Sequence, residues 1–142
     1  MKIRGLTFSD YGQIVALWKC SELSFRPSGR DQKEAVQAQM VANPDFFLGA
    51  YEDDRLVGVV VATSDGRKGW INRLAVHPNF RRKGVAEALI KESEKTLRKY
   101  GLRIFCALIE DYNKSSMRLF KKCGYKEHRD IVYFSKRESA RI

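Results

Sequence analysis

The fold of this chain is constrained most by an amphipathic segment that lies between two apolar runs. Residues 84–100 carry apolar side chains at helical spacing, and Gly101 follows as a stop signal. The run WINRLAV before the segment and the run LRIFCALI (residues 102–109) after it both predict strands. A strand, a helix and a strand in this order form a right-handed βαβ crossover between parallel strands. The helix face predicted to be buried comprises Ala86, Leu89, Ile90, Ser93, Leu97 and Tyr100.

The rest of the chain predicts further strands and helices around this crossover. KIRGLTF predicts a first strand, Asp10 is placed to cap a helix, and residues 31–42 predict a second helix. FFLGAYEDDRLVGVVVAT predicts a hairpin, and LRIFCALI, which is apolar almost throughout, predicts a fully buried strand at the centre of a sheet. Asn113 is predicted to cap a helix that Gly124 ends, with YKEH and DIVYFSKR as closing strands. We therefore expect an α/β fold, with a mixed, mostly antiparallel sheet flanked by helices, in one domain over residues 1–142.

The net charge of +10 lies almost wholly after residue 80. Residues 1–80 hold 10 Lys and Arg against 9 Asp and Glu, which gives +1, and residues 81–142 hold 17 against 8, which gives +9. A strongly basic half of a chain indicates nucleic acid, an anionic membrane surface or a phosphorylated cofactor as a partner, or else a solvated basic surface. The cations gather at one turn and along helix faces without interleaved aromatic residues, which disfavours nucleic acid.

The apolar and cysteine content sets two further expectations. The sequence has no apolar run of about 18 residues and no signal-peptide core, so we expect a cytoplasmic protein with no membrane partner. Cys20, Cys106 and Cys123 are odd in number and lack C-x-x-C spacing, which predicts neither a disulfide framework nor a metal site. We expect all three to be small buried side chains rather than nucleophiles.

The turn before the amphipathic helix places Arg81, Arg82 and Lys83 directly before Gly84. The first turn of a helix has backbone N–H groups without intrahelical partners and a partial positive charge, so it favours an anion. Gly84 leaves the backbone open to a ligand, and arginine can donate paired hydrogen bonds to phosphate oxygens. The sequence contains no G-x-x-x-x-G-K-[ST] motif, which disfavours an ATP-type phosphate loop. It also contains no G-x-G-x-x-G motif, which disfavours a dinucleotide-binding fold.

The pattern Arg81-x-x-Gly84-x-Ala86 resembles the acyl-CoA pyrophosphate loop of the GNAT superfamily of N-acetyltransferases, whose usual form is [QR]-x-x-G-x-[GA]. NRLAVHPNFRRKGVAEALI is similar to the family's strand, loop and helix over their whole length, and NKSSMRLFKKCGY resembles its second signature. The order of elements also matches, so the resemblance covers essentially the whole chain. It implies a GNAT-type sheet whose crossover holds acetyl-CoA as co-substrate.

The resemblance also implies the residues that contact acetyl-CoA. The two crossover strands would splay apart, and backbone groups of Leu74, Ala75 and Val76 would pair with pantetheine in the gap. One N–H group there would polarise the acetyl carbonyl. Asn113 would contact the pantetheine arm, or serve only as a helix cap, and the two roles are compatible. The residues implied at the pyrophosphate, the nucleotide end and the arm are Arg81, Arg82, Lys83, Gly84, Val85, Ala86, Ser116, Phe120 and Lys122.

The sequence departs from the family at two catalytic positions. Phe120 stands where a tyrosine usually protonates the departing thiolate, which leaves that role vacant or passes it to water, Tyr112 or Tyr125. Asn72 stands near the place of a glutamate that often serves as the base. Glu110, after LRIFCALI, is then the best-placed carboxylate for a base, unless it is only a solvated strand end.

The predicted activity is transfer of an acetyl group to a primary amine of a small molecule, amino acid or peptide by direct attack in a ternary complex. Arg26 and Arg30, in the loop SELSFRPSGRD, would hold an acceptor carboxylate or be solvated loop arginines. A non-catalytic acyl-CoA-binding module would explain both departures, and a nucleic-acid-binding protein would explain the basic half. We expect a monomer or a homodimer.

Overall fold

The computed structural model describes residues 1–21, 23 and 25–142, and its five strands form one sheet in the order β1-β2-β3-β4-β5. All neighbouring strands are antiparallel except β4 and β5, which are parallel. This confirms the predicted mixed, mostly antiparallel sheet with one crossover. The strands are β1 Lys2–Gly5, β2 Phe47–Glu52, β3 Arg55–Ser64, β4 Gly69–Val76 and β5 Phe105–Cys106. The α-helices are α1 Tyr11–Cys20, α2 Lys33–Ala42, α3 Val85–Lys99 and α4 Lys114–Lys122.

The central strands bury both faces, because their side chains alternate between two apolar cores. Val57 and Val60 of β3 belong to the core that contains α3 and α4, whereas Val59 and Val61 belong to the core that contains α1 and α2. All four are at most 2% exposed. The sheet therefore separates an α3/α4 face from an α1/α2 face, and β4 runs between the two.

Helix α3 forms largely as the sequence predicts. Its residues Leu89, Ile90, Ser93 and Leu97 are fully buried, and the helix ends before Gly101, whose φ is +83°. The expected inward position of Tyr100 is wrong, since its side chain is 56% exposed. Tyr100 follows Lys99, the last residue of α3, so its side chain does not continue the buried face of the helix. Its hydroxyl donates to Asp45 at 2.6 Å.

The C-terminal strands differ most from expectation. LRIFCALI is paired only at Phe105 and Cys106 and is not fully buried, since Ile104 and Leu108 are exposed. YKEH and DIVYFSKR form no strand, and four consecutive apolar side chains in the latter are 67–87% exposed. A strand requires a partner as well as a propensity, and an apolar run indicates only the propensity. These exposed side chains are Ile131, Val132, Tyr133 and Phe134.

Asp10 occupies the predicted N-cap position of α1, but its side chain makes no capping hydrogen bond to that helix. It ends a short 3-10 helix, Phe8–Asp10, and its carboxylate turns back to accept the Thr7 N–H at 2.9 Å. The Arg4 guanidinium lies 3.3 Å from the same carboxylate. Burial by itself would raise the pKa of Asp10, but the Thr7 hydrogen bond and Arg4 together hold it below its usual range.

The three cysteines are free thiols, and the expectation that all are buried is wrong. Cys20 is exposed because it is the last residue of α1, while Cys106 and Cys123 are half-buried. Burial raises the pKa of the Cys123 thiol, which keeps it protonated. Within the described residues, no three His, Cys, Asp or Glu side chains lie close enough together to hold a metal ion.

No helix in the described part of the chain is long and apolar enough to cross a lipid bilayer.

The contact of α3 with the sheet predicts that a side chain at position 58 destabilises the fold. A Cβ atom added to Gly58 would lie 2.8 Å from Val85 Cγ1 and 2.9 Å from Leu89 Cδ1, both in α3. We expect Gly58→Ala to lower the free energy of unfolding by about 1–3 kcal/mol, because the Val85 and Leu89 side chains, or the helix that carries them, must shift. Gly5→Ala is the matched control, since a Cβ there meets no atom within 4 Å. Equal urea midpoints for the two variants would contradict this close packing.

Candidate active site

Strands β4 and β5 separate after a short contact. In the described structure they pair only at Gly69 with Phe105 and at Trp70 with Cys106. Strand β4 continues to Val76, and the described part of the chain places no strand against this edge beyond Trp70. Backbone groups along such an edge are available to an extended ligand. The separation that the family resemblance implied is therefore present in this structure.

The end of β4 directs neighbouring residues to opposite faces of the sheet. Leu74 and Val76 pack against the α3/α4 core, whereas Ala75 is buried in the α1/α2 core opposite Val59. The register with β3 shifts just before this point, and Arg73 has a left-handed backbone, with φ of +46°. This irregularity is a β-bulge, which turns the strand locally and is frequent beside active sites.

The basic turn lies between β4 and α3 and is exposed. Arg81, Arg82, Lys83 and Gly84 are all accessible, and the Lys83 ammonium lies 5.3 Å from the centroid of the Phe80 ring. Arg82 and Gly84 have φ values of +61° and +80°. At Gly84 a left-handed residue directly precedes the helical Val85, and such a pair turns successive N–H groups toward one point and favours an anion there. A Cβ on Gly84 would meet no atom within 4 Å, so the backbone conformation requires glycine and internal space does not.

Helix α4 brings another cation to this turn. Lys122 Nζ lies 3.4 Å from Glu87 Oε2 in the first turn of α3, and Lys91 Nζ lies 3.3 Å from Glu87 Oε1. The hydrogen bonds from Lys91 and Lys122 lower the pKa of Glu87. The structure therefore joins Lys122 of α4 to the first turn of α3, and its role at the nucleotide end stays a prediction.

At its other end, α4 begins at Asn113, whose side-chain oxygen accepts the Ser116 N–H at 3.1 Å. The predicted cap is therefore confirmed. Further along the helix, Phe120 is 6% exposed and belongs to the α3/α4 core, which also contains Val85. Leu74 packs against the same core. Its ring meets Tyr125 edge to face, with centroids 5.0 Å apart. Phe120 is thus inward-facing, on the side of the sheet where β4 and β5 separate.

The residues considered for proton transfer are dispersed. The Tyr125 hydroxyl donates to Glu94 Oε2 at 2.6 Å, and burial together with this bond raises the pKa of Tyr125. Tyr112 is 76% exposed, and Glu110 is exposed in the turn before α4. The Asn72 amide donates to Thr63 Oγ1 at 2.8 Å. Tyr125 is therefore held by α3, and Glu110 remains a solvent-facing carboxylate at the end of the β5 region.

The loop between α1 and α2 lies on the opposite face. Ser21 Oγ donates to the Val76 carbonyl at 3.3 Å, which joins the start of this connection to the end of β4. The Arg26 N–H donates to Asp31 Oδ2 at 2.7 Å, and its guanidinium donates to the Ala140 carbonyl at 3.3 Å. Arg30 is exposed. The two predicted acceptor arginines are thus near β4, but across the sheet from Phe120.

The sequence analysis missed the contacts of Asp31 and Arg73 in this region. Asp31 is 3% exposed and its carboxylate lies 3.4 Å from the Arg73 guanidinium. The one charged residue of the run WINRLAV was the available signal, because a charge in a buried strand requires a partner.

Comparison with known proteins is consistent with this geometry. The model of the Acetyltransferase (GNAT) family matches residues 13–125. The chain belongs to this GNAT family. A curated acetyltransferase of Photorhabdus laumondii is 32% identical to this GNAT chain over 138 residues, which are 96% of the chain and 95% of that protein. A curated acetyltransferase of Yersinia enterocolitica is 31% identical over 137 residues, with 96% and 95% covered.

Solved GNAT structures share the fold. The PaiA N-acetyltransferase of Thermoplasma acidophilum, in complex with coenzyme A, has a TM-score of 0.77 and 22% identity, and 88% of this chain and 89% of that chain are covered. The AAC(6')-Iy structure, in complex with a CoA-S-monomethyl-acetylneamine bisubstrate analogue, has a TM-score of 0.77 and 20% identity, with 96% and 97% covered. The family resemblance noted from the sequence is therefore confirmed. This GNAT chain is an enzyme of the acyl-CoA N-acyltransferase class.

The burial of Phe120 predicts different outcomes for two substitutions. Phe120→Ala should lower the free energy of unfolding by about 3–5 kcal/mol, because it leaves a cavity in the α3/α4 core. Phe120→Tyr should fold and bind CoA, and should raise kcat up to about tenfold if the new hydroxyl protonates the departing thiolate. Urea unfolding, CoA titration and single-turnover acetyl transfer compare the three proteins. Loss of both folding and CoA binding in Phe120→Tyr would place this ring in an apolar core away from the sulfur.

Proposed function

We propose that residues 1–142 form one N-acetyltransferase domain that transfers the acetyl group of acetyl-CoA to a primary amine in a ternary complex. The observation that carries this proposal is that β4 and β5 pair only briefly, next to the basic turn that precedes α3. The opening suits an extended pantetheine arm, and the turn suits a pyrophosphate. Acetyl-CoA supplies the activated acetyl thioester.

The basic turn fits a pyrophosphate by charge and by backbone shape. We assign the backbone N–H groups of residues 82–86 to the phosphate oxygens, because the left-handed Arg82 and Gly84 orient them outward at a helix N-terminus. Arg81 adds a bidentate guanidinium, and Lys122 adds charge from α4. Ser116 is assigned to the nucleotide end with Lys122.

The β4 edge is assigned to the pantetheine arm and the acetyl carbonyl. Leu74, Ala75 and Val76 have no strand partner on this side in the described structure, so we assign their backbone groups to the arm, except the Val76 carbonyl, which already accepts from Ser21. One N–H group there donates to the carbonyl oxygen and stabilises the negative charge that develops on it. Asn113 contacts the arm through its amide N–H groups, since its side-chain oxygen already caps α4, and Phe120 supplies an apolar wall.

In the chemical step, the neutral amine nitrogen of the acceptor bonds to the acetyl carbon, and the carbon–sulfur bond breaks. The sulfur leaves as a thiolate, and the amine loses a proton to water or to Glu110. Phe120 has no proton to donate, and Tyr125 is held by Glu94, so we assign thiolate protonation to water. The protein then contributes mainly positioning and the contact to the carbonyl oxygen.

The acceptor is a primary amine of a small molecule, amino acid or peptide, and we place it on the α1/α2 face beside Ala75. A small-molecule amine agrees with the acetylneamine analogue bound to AAC(6')-Iy. Arg26 and Arg30 are assigned to a carboxylate on the acceptor, because both belong to the loop that Ser21 connects to the end of β4.

A matched pair of glycine substitutions tests the cofactor site. We expect CoA at about 100 times its Kd to stabilise the parent by about 2.7 kcal/mol, because it binds the native state. Gly84→Glu should abolish this thermal shift, since it places a negative charge where phosphate binds. Gly66→Glu is the control: Gly66 also has a positive φ, +86°, and no atom within 4 Å of an added Cβ, but it lies in the β3–β4 turn.

Both variants carry the same added charge and the same backbone strain, so the comparison isolates the site. If Gly84→Glu and Gly66→Glu bind CoA as tightly as each other, the assignment of the turn to pyrophosphate is wrong.

The pH dependence of transfer tests the activity and distinguishes it from a non-catalytic module. Without a strong base, the enzyme must use amines that are already neutral. An α-amine, with a pKa of about 7.7–8.0, is partly neutral at pH 7, whereas lysine at about 10.4 is almost wholly protonated. We expect acetyl transfer to rise from pH 7 to 9, more steeply for lysine-type acceptors, in a screen of amines with [14C]acetyl-CoA. CoA binding without transfer to any amine would indicate the binding module instead.

A further inference from the structure

Arg73 has an unusual backbone for its position. It lies inside β4, directly before Leu74, and its φ of +46° is in the left-handed region. Residues with a side chain adopt this conformation only where their surroundings fix it, and such residues occur frequently at functional sites. The contacts of the Arg73 side chain are therefore part of what holds the end of β4 in place.

These contacts lie on the α1/α2 face. The Arg73 guanidinium lies 4.1 Å from the centroid of the Trp18 ring, and Nη2 is 3.4 Å from Asp31 Oδ2. The Arg73 and Asp31 side chains are 20% and 5% exposed, and Trp18 is 1% exposed. Stacking and ion pairing thus fix both the direction of the guanidinium and the strand that carries it.

Asp31 connects this strand to the segment that precedes α2, residues 25–32, which we call the acceptor loop. Its Oδ2 atom, which faces Arg73, also accepts the Arg26 N–H at 2.7 Å. Its backbone carbonyl accepts the Tyr11 hydroxyl at 2.9 Å. One buried carboxylate therefore joins the acceptor loop to β4, while its backbone joins the loop to α1.

We propose that the Arg73–Asp31 pair is a positioning pair, which fixes the acceptor loop relative to the backbone of Leu74 to Val76. Arg73 precedes Leu74, so its side chain also fixes the orientation of the Arg73–Leu74 peptide, whose N–H group belongs to Leu74. The proposal rests on the proposed function, since it assigns the acceptor to this loop and the acetyl carbonyl to that strand. Loss of the pair should affect the acceptor more than CoA.

The chain offers a close structural control for this pair. Arg4 in β1 lies 3.3 Å from Asp10 and 4.3 Å from the centroid of the Tyr51 ring, so it makes the same kinds of contact. Strands β2 and β3 separate β1 from β4 in the sheet. Arg4→Met therefore removes an arginine from an ion pair and an aromatic face without touching the acceptor loop.

The experiment compares Arg73→Met, Arg73→Lys and Arg4→Met with the parent by three measurements: amide hydrogen exchange, CoA affinity, and kcat and KM for the amine that the parent acetylates fastest in the screen described above. In Arg73→Met we expect exchange of the Arg26 amide to accelerate about tenfold or more. We expect kcat/KM for the acceptor to fall about tenfold, mainly through KM, with the Kd for CoA within about twofold. Arg73→Lys should recover part of both losses, and Arg4→Met should show neither.

Equal exchange of the Arg26 amide in Arg73→Met and Arg4→Met would overturn the proposal, as would an equal effect of the two variants on acceptor KM. A parallel loss of CoA affinity in Arg73→Met would also overturn it, because the pair would then act on the cofactor strand. If Arg73→Met does not fold, Arg73→Lys carries the same comparison. A parent that transfers no acetyl group contradicts the proposed function instead, and the exchange rate still decides whether Arg73 fixes the loop.

Discussion

The short parallel contact between β4 and β5 is the constraint on which the rest of the structure depends. Two parallel neighbours cannot be joined by a tight turn, so the chain must cross over through α3, and a right-handed crossover places that helix on one defined face. The same connection brings the N-terminus of α3 to the end of β4. A partly positive helix end, three cations and the edge that β5 leaves open therefore meet at one place because of the topology.

In the proposed function, strand β4 divides the two halves of the reaction between the faces of the sheet. Leu74 and Val76 face the core that contains Phe120 and the start of α3, and Ala75 faces the core that contains α1 and α2. Alternation along one strand is sufficient to place a cofactor on one side and an acceptor on the other. The bulge at Arg73 turns the strand further at this point. The Arg73 side chain contacts Asp31 and Trp18, which both lie outside the strand.

How much of this could be predicted from the sequence depends on how local each signal was. Helix α3, the β2–β3 hairpin and the Asn113 cap depend on neighbouring residues, and each was predicted. The prediction of long final strands was wrong, because a strand forms only beside a partner, and an apolar run does not specify that partner. The Asp10 side chain does not bond to the first turn of α1, because its carboxylate accepts hydrogen bonds from Arg4 and from the Thr7 N–H instead. The cofactor site was predicted from the turn at Gly84. The Arg73–Asp31 contact joins distant parts of the chain, and the arginine in WINRLAV indicated only that a partner was required, not which residue it is.

The close packing at Gly58 fixes the end of the molecule to which we assign the cofactor. Val85 and Leu89 rest directly on the sheet there, so the first turn of α3 can neither slide nor tilt without losing close packing. A ligand that binds this turn meets N–H groups that are already oriented, and loses little affinity to ordering of the protein. The acceptor side is held instead by side chains from a loop. Acceptor preference can therefore diverge through substitutions in that loop while the cofactor site is inherited unchanged.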